Sequence, residues 1–422
     1  MQVESKNSTV MTLTGLLGDF RLLVILFISF RLMLLMVYQP IVTDGVERGI
    51  GAGGDRQYHY ALSALTDDGF YPFRDWWSEF PPVWYFLTTT VYQLQGENIN
   101  YGGWSMAIGL ILLAFDTGNL ILMRRIGTRL YGANTGITLA WIYAISIAPM
   151  IFLWWNFENM VAFFLLLGLY WLLAKQEDRS AVAVAIGALT KFTPALLFGA
   201  VFRFRDWKVT ARFVAIAAGL FMLVYLPLFA QNAEMTLPSL TAQFGKASYQ
   251  TVWALIDGNT RTGNFGTVES HFDPTTADDL QGNPPMIPSF IRLGIATAIG
   301  LFVFLRTRRF DDRGLVAFMT ITLLIFFLQA QGWSPQWLAQ IVPLVLLAFP
   351  TKNGVLITVV LSMVVFTEYP VLFIRTGDTG GEIVGPMVMP FAVLVIVRTL
   401  ILVGLCVALY QKLRQEPIPS LN

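Results

Sequence analysis

The densest group of reactive side chains in this 422-residue sequence lies between residues 39 and 102. Asp44, Glu47, Asp55, Asp67, Asp68, Asp75 and Glu79 are interleaved there with Arg48, Arg56, Arg74, Tyr58 and His59. A carboxylate partly stripped of water has its ionised form disfavoured and becomes a better proton acceptor, which is what a general base requires. Asp55 stands apart because Gly51, Gly53 and Gly54 let backbone approach it closely and an aromatic-rich helix follows it. Asp44 and Glu47 are reserve carboxylates that could fold back over the glycine run, whereas Asp67 and Asp68 beside Gly69 read as a solvated turn. Far along the chain, Lys191 and Pro194 interrupt the apolar stretch 181–202, and a lysine at such a depth is a functional candidate by default.

The elements that position these residues must be membrane helices. The chain is 55% hydrophobic and 13% charged, with mean hydropathy +0.60, too apolar for an aqueous domain of this length. A net charge of +1 lacks the basic excess of a nucleic-acid binder, so no nucleic acid is expected as a partner. The one cysteine, Cys406, excludes a disulfide or a cysteine metal site within the chain. No phosphate-binding glycine motif of nucleotide enzymes is present, and the polar start of the chain lacks the plan of a cleaved signal.

Apolar spans are expected at 20–38, 103–123, 135–155, 160–174, 213–230, 290–305, 315–330, 338–349, 354–373 and 387–408. Residues 181–202 read as a hairpin of two short helices turning at Lys191–Pro194. This keeps Lys175 and Arg179 on the same side as Arg203, Arg205, Lys208 and Arg212, as the positive-inside tendency demands. The result is an all-α polytopic bundle of about twelve helical passes forming one domain over residues 1–422, with both termini in the cytoplasm. Loops 39–102 and 231–289 then face outward, together with Lys191, Lys246, Arg261, Arg292 and Arg375. In the first loop, Tyr58, Ala61, Leu62 and Leu65 share a helical face, and Pro81-Pro82 opens a second helix with Trp84, Tyr85, Phe86 and Tyr92 as interfacial anchors. Arg31 and Arg398, inside spans, read as structural, pairing with acidic partners such as Asp116.

The order Asp55-Arg56-Gln57-Tyr58, Gly69-Phe70-Tyr71-Pro72-Phe73-Arg74-Asp75-Trp76 and Glu79-Phe80-Pro81-Pro82-Val83 resembles the first outer loop of the GT-C superfamily of membrane glycosyltransferases. More narrowly, it is similar to glycosyltransferase family 87, the polyprenyl-phosphate-mannose-dependent mannosyltransferases, with Phe73 and Phe80 where tyrosines are commoner. Leu189–Pro194, Phe244–Trp253 and Gln331–Trp337 with Pro343 resemble that family's later motifs, so the likeness extends over most of the chain. The resemblance implies a sugar, mannose in that family, carried on a polyprenyl phosphate and transferred with inversion on the extracytoplasmic face of the plasma membrane. The acceptor would be lipid-linked or a glycan.

In such a transfer Asp55 would be the base. Lys191 would meet the donor phosphate, with Arg56, Arg74, Lys246, Arg261 and Arg375 competing for a second contact. Tyr58, His59, Glu79, Tyr249, His271, Trp333 and Gln336 are candidate substrate contacts, as are Glu158 and Asn159 at the outer end of the fourth span. No cofactor is required by this chemistry; a divalent cation on clustered oxygens is the alternative, without a close DxD pair to favour it. The competing functions are a lipid or glycan transporter and a non-catalytic glycan-binding subunit. A transporter would usually repeat its broken helices in both halves, and only one half carries the Lys-Pro break.

Overall fold

The computed structural model describes residues 12–37, 41–43, 46–48, 55–96, 99–146, 156–263, 266–279, 281–373 and 381–417. Asp44, Arg375 and the glycines before Asp55 lie outside the described residues, as do the side chains of Glu47 and Arg48. The longer helices are α1 (Phe20–Val37), α2 (Asp55–Ala64), α3 (Pro82–Gln93), α4 (Tyr101–Tyr131), α5 (Ala133–Ile145), α6 (Glu158–Leu173), α7 (Glu177–Ala188), α8 (Leu197–Phe204) and α9 (Trp207–Gln231). They continue with α10 (Pro238–Gly245), α11 (Val252–Asp257), α12 (Ser289–Arg306), α13 (Asp312–Gln329), α14 (Leu338–Ala348), α15 (Lys352–Phe366) and α16 (Val388–Arg414). A two-stranded ribbon, β1 (Ile41–Thr43) and β2 (Val46–Arg48), pairs antiparallel with Val42 opposite Glu47.

Every expected pass contains a helix, yet among the described residues seven helices are long and apolar enough to cross a membrane: α1, α4, α9, α12, α13, and α15 and α16 with their adjoining turns. Helices α5, α6, α7, α8 and α14 are shorter. Twelve is therefore a count of helical segments and not of membrane-length spans. The helices start where the sequence offers a polar cap: Asn100 accepts from Gly103 N at 2.8 Å, Asp206 from Val209 N at 3.1 Å and Asp311 from Gly314 N at 2.7 Å. The apolar side chains they carry outward, among them Ile25, Met33, Leu223, Phe290, Leu305 and Leu400, are exposed, as befits faces whose solvent is lipid.

Helix α14 explains how a short helix suffices. All of its residues from Leu338 to Ala348 are buried, and it packs against α4, α5, α6, α13 and α15. It meets protein on every side and has no need of bilayer length. The α7–α8 pair is the expected hairpin: Arg205 Nε lies 2.8 Å from Glu177 Oε1, tying together the ends of the arms remote from the turn. At about 1.5 Å per residue both arms fall short of a hydrocarbon core of about 30 Å. The turn that carries Lys191 is thus held inside the protein.

One expectation about the first outer loop is corrected. Trp84, Tyr85 and Tyr92 are not interfacial anchors; they are buried, with Leu62, Trp104, Ile108 and Phe157, in a core of their own. Helices α2 and α3 pack on each other and on α4, so their aromatic faces turn inward and Phe86 is left exposed.

The intramembrane arginines are paired. Arg31 Nε donates to Asp116 Oδ2 at 2.7 Å, its guanidinium lies 3.5 Å from the Phe27 ring centroid, and Tyr143 Oη donates to Asp116 Oδ1 at 2.5 Å. Arg398 bonds Glu368 and the carbonyl of Gln250. Removing one partner of such a pair leaves a buried charge, so Asp116→Leu should cost about 3–5 kcal/mol. Arg31→Met/Asp116→Leu should recover most of that loss in a denaturant titration in detergent. A double variant as unstable as the single would contradict the pairing argument.

Candidate active site

A cavity of about 640 Å³ lies where the two large loops meet the helix ends, and Asp55, Glu79, Lys191, Lys246, Tyr249, Arg292 and Gln336 are on its wall. Its floor is organised by the N-terminus of α6. Asn156 uses both ends of its amide: Oδ1 accepts from Glu158 N at 3.3 Å, and Nδ2 donates to Asp55 Oδ2 at 2.9 Å. The half-buried Asp55 carboxylate is thereby oriented by a neutral donor. Glu158, with no exposed surface, pairs with Lys191 and accepts from Gln340 Nε2 of α14 at 2.7 Å. The Lys191 ammonium also lies 5.4–5.6 Å from the ring centroids of Phe80, Phe157 and Trp337, where cation–π attraction adds to the pairing.

A second ion pair sits higher. Lys246 Nζ is 2.5 Å from Glu79 Oε1, and Gln243 Nε2 donates to Glu79 Oε2 at 3.3 Å. Burial raises the Glu79 carboxyl above its ordinary value, although Lys246 and Gln243 oppose the shift. Beyond this pair lies a smaller hollow of about 350 Å³, whose wall includes Trp77, Glu79, Lys246, Tyr249, Thr262 and Thr267.

The two large loops are fastened to each other over these hollows. His271 Nδ1 donates to the Trp77 carbonyl at 2.6 Å, a bond that fixes Nε2 as the acceptor for the Tyr58 hydroxyl, and the Trp77 and His271 rings stack at 4.1 Å. Tyr58 suits this donor role because burial pushes its phenol well above the usual value. His59 is buried, and burial together with the neighbouring Arg56 and His271 pushes its imidazole down to about 3, leaving it neutral. Tyr249 N donates to Gln331 O and Trp333 N to Tyr249 O, both at 3.1 Å, joining two motifs distant in sequence. Gly332 is required there, since a Cβ would stand 2.1 Å from Tyr249 Cζ.

The remaining candidates have other surroundings. Arg56 lines the cavity beside Asp55 but is buried and donates to the Ser105 carbonyl at 2.7 Å. Arg74 is exposed, bonded to Asp75 and Gly69. Arg261 lines only the smaller hollow, and Trp333 is buried beneath Arg398. Asn159 is buried; its carbonyl accepts from Asn119, and its amide has no partner among the described residues. Four contributors were not anticipated: Asn156, Gln243, Arg292 and Gln340. A lone amide within the apolar run of α14 was the available signal for Gln340. Among the described residues no three His, Cys, Asp or Glu side chains gather as a metal site would need.

The fold and site define a polytopic helical membrane protein with a cavity lined by carboxylates and cations at one end of its bundle. No protein-family model matches the chain, and no curated protein matches it. Among solved structures it is similar to the oligosaccharyltransferase of Archaeoglobus fulgidus. In the apo form the identity is 12% and the TM-score 0.42, over 92% of this chain and 55% of that one. In the form tethered to an acceptor peptide containing the NVT sequon the values are 11% and 0.41, over 94% and 55%. The chain thus spans about half the length of the structures it matches.

Because the buried Glu79 carboxyl is raised in the folded state, its contribution to stability is fully present below the ordinary carboxylate value of 4.5 and is lost as pH rises through the raised value. Glu79→Gln keeps the neutral form throughout. Its melting temperature relative to wild type should therefore climb as pH increases from the acid side towards neutrality, and a difference that does not vary with pH would refute this assignment.

Proposed function

We propose that this protein is an inverting membrane glycosyltransferase of the GT-C type, which moves a sugar, mannose by the motif resemblance, from a polyprenyl phosphate to a lipid-linked or glycan acceptor. The observation that carries the proposal is Asp55, a half-buried carboxylate held by Asn156 on the wall of a cavity whose rim includes the exposed apolar side chains Phe244 and Phe290. A water-soluble sugar nucleotide needs no hydrocarbon-facing rim, whereas a prenyl chain does.

Asp55 would take the proton of the acceptor hydroxyl as that oxygen attacks the anomeric carbon. The bond from the anomeric carbon to the phosphate oxygen breaks on the opposite face, its electron pair leaving with the lipid phosphate. The smaller hollow, with hydroxyls from Ser248, Thr262, Thr267 and Ser270 and the indole of Trp77, suits a polyhydroxylated acceptor. The basic loops favour a plasma-membrane protein with both termini in the cytoplasm and this site outside. A transporter remains less favoured because the Lys191 turn has its charge balanced within the protein by Glu158.

Purified protein supplied with a radiolabelled polyprenyl-phosphate sugar and a lipid acceptor should form product. Asp55→Asn should lower kcat by about 10²–10⁴-fold with its melting temperature retained. Turnover by Asp55→Asn at the wild-type rate would remove the base assignment, and the absence of product from every polyprenyl donor would remove the proposal. Since base and leaving-group stabilisation are both supplied by side chains, transfer should persist in EDTA; its loss, restored by a divalent cation, would assign a metal to this step.

A further inference from the structure

We infer that the phosphate of a prenyl-type lipid is received by Arg292 and not by Lys191. This rests on the donor class proposed above and assigns the atom group that holds it.

The argument is one of charge. The Lys191 ammonium is already balanced by the fully buried Glu158, so a phosphate beside it would add a second anion to a neutral pair. Arg292 differs. It is 2% exposed, it lines the same cavity, and among the described residues no carboxylate lies within ion-pairing distance. Its Nη2 meets only neutral oxygens, Ser289 Oγ at 3.0 Å and Gln331 Oε1 at 3.4 Å, and its Nε has no hydrogen-bond partner among the described residues. A guanidinium does not deprotonate to escape burial, so this one is a standing positive charge facing a hollow.

Two further features point to the same ligand. Arg292 is in the first turn of the 18-residue α12, which starts after Pro288 without a side-chain cap, and an open helix N-terminus favours an anion. Phe290, two residues before it, and Phe244 are strongly exposed, at 73% and 63%, and both also line the cavity. A phosphate ester on a hydrocarbon chain satisfies both surfaces: the oxygens meet the planar guanidinium in a bidentate fashion and the chain leaves between the two rings.

The test is binding, without transfer. Tritiated farnesyl phosphate would be titrated against the full-length protein in detergent, with farnesol, inorganic phosphate and dioleoyl phosphatidic acid as competitors. Wild type should bind farnesyl phosphate in preference to all three. Arg292→Gln should weaken binding about 10- to 100-fold, and Arg292→Lys by less, as expected for a charge-assisted hydrogen bond. Gln331→Glu leaves Arg292 in place and sets a carboxylate beside it, and should weaken binding similarly. Arg129→Gln, far from the site, serves as the control with unchanged affinity.

Wild-type affinity in both Arg292→Gln and Gln331→Glu would overturn the inference while leaving glycosyl transfer standing. Equal competition by inorganic phosphate would make this a free-anion site, and equal competition by phosphatidic acid a general headgroup site; either outcome overturns the prenyl assignment. Absence of farnesyl phosphate binding by wild type, with turnover of any other donor class, would sink the donor proposal and this inference with it.

Discussion

A carboxylate fully buried at the edge of a membrane bundle has to be neutralised within the protein, and Glu158 is that carboxylate. Breaking such a pair costs about 3–5 kcal/mol, a large part of the stability of any domain. Three separate elements converge to prevent it. Lys191 comes from the hairpin turn, Gln340 from the central helix α14, and the N-terminus of α6 contributes its own partial positive charge. Asn156, bonded to both the Glu158 amide and Asp55, carries the constraint outward to the first loop. The position of the candidate base is thus a consequence of how a buried charge is satisfied.

The same logic operates at the second wall. Arg398, deep in α16, pairs with Glu368 and holds the carbonyl of Gln250, which has a left-handed backbone with φ 52° and lines the cavity. Trp333, beneath Arg398, is bonded through its backbone to Tyr249. Packing deep in the bundle therefore fixes loop residues that would otherwise be free to sample many conformations. Hydrophobic burial builds the helices, but ion pairs decide where the loops stop.

What could be read from the sequence follows from these forces. Hydropathy located the helical segments, because lipid leaves no other backbone option, but not all of their ends: α4 runs on to Tyr131 and α5 stops at Ile145. The hairpin was legible from its basic flanks and Pro194, and the glycines before Asp55 singled out a residue that lines the cavity. Three features were not legible. Trp84, Tyr85 and Tyr92 look the same in composition whether they face headgroups or Trp104, so their inward packing needed the contact of α2 and α3 with α4. The pairing of Lys191 with Glu158 joins residues whose separation no periodicity encodes. Arg292 read as one of several rim arginines, since nothing local shows that a residue lacks a carboxylate partner.

That last distinction bears most on the chemistry. As a glycosidic bond to a lipid phosphate breaks, negative charge grows on the departing oxygen, and the wall must supply positive charge that is not already spent. Lys191 and Glu158 together are neutral, so their pair can shape and polarise the floor without meeting that demand. Arg292, bonded to Ser289 and Gln331 and with no carboxylate among the described residues within ion-pairing distance, Asp257 acting on it only from farther away, would meet it in the proposed transfer. In the proposed transfer, a phosphate drawn to the α12 side of the cavity would leave the Asp55 side to the acceptor hydroxyl, so the two anions would not crowd one another. A single cluster of cations and carboxylates would neutralise itself; partition of charge between two walls would keep each group available for one half of the proposed reaction.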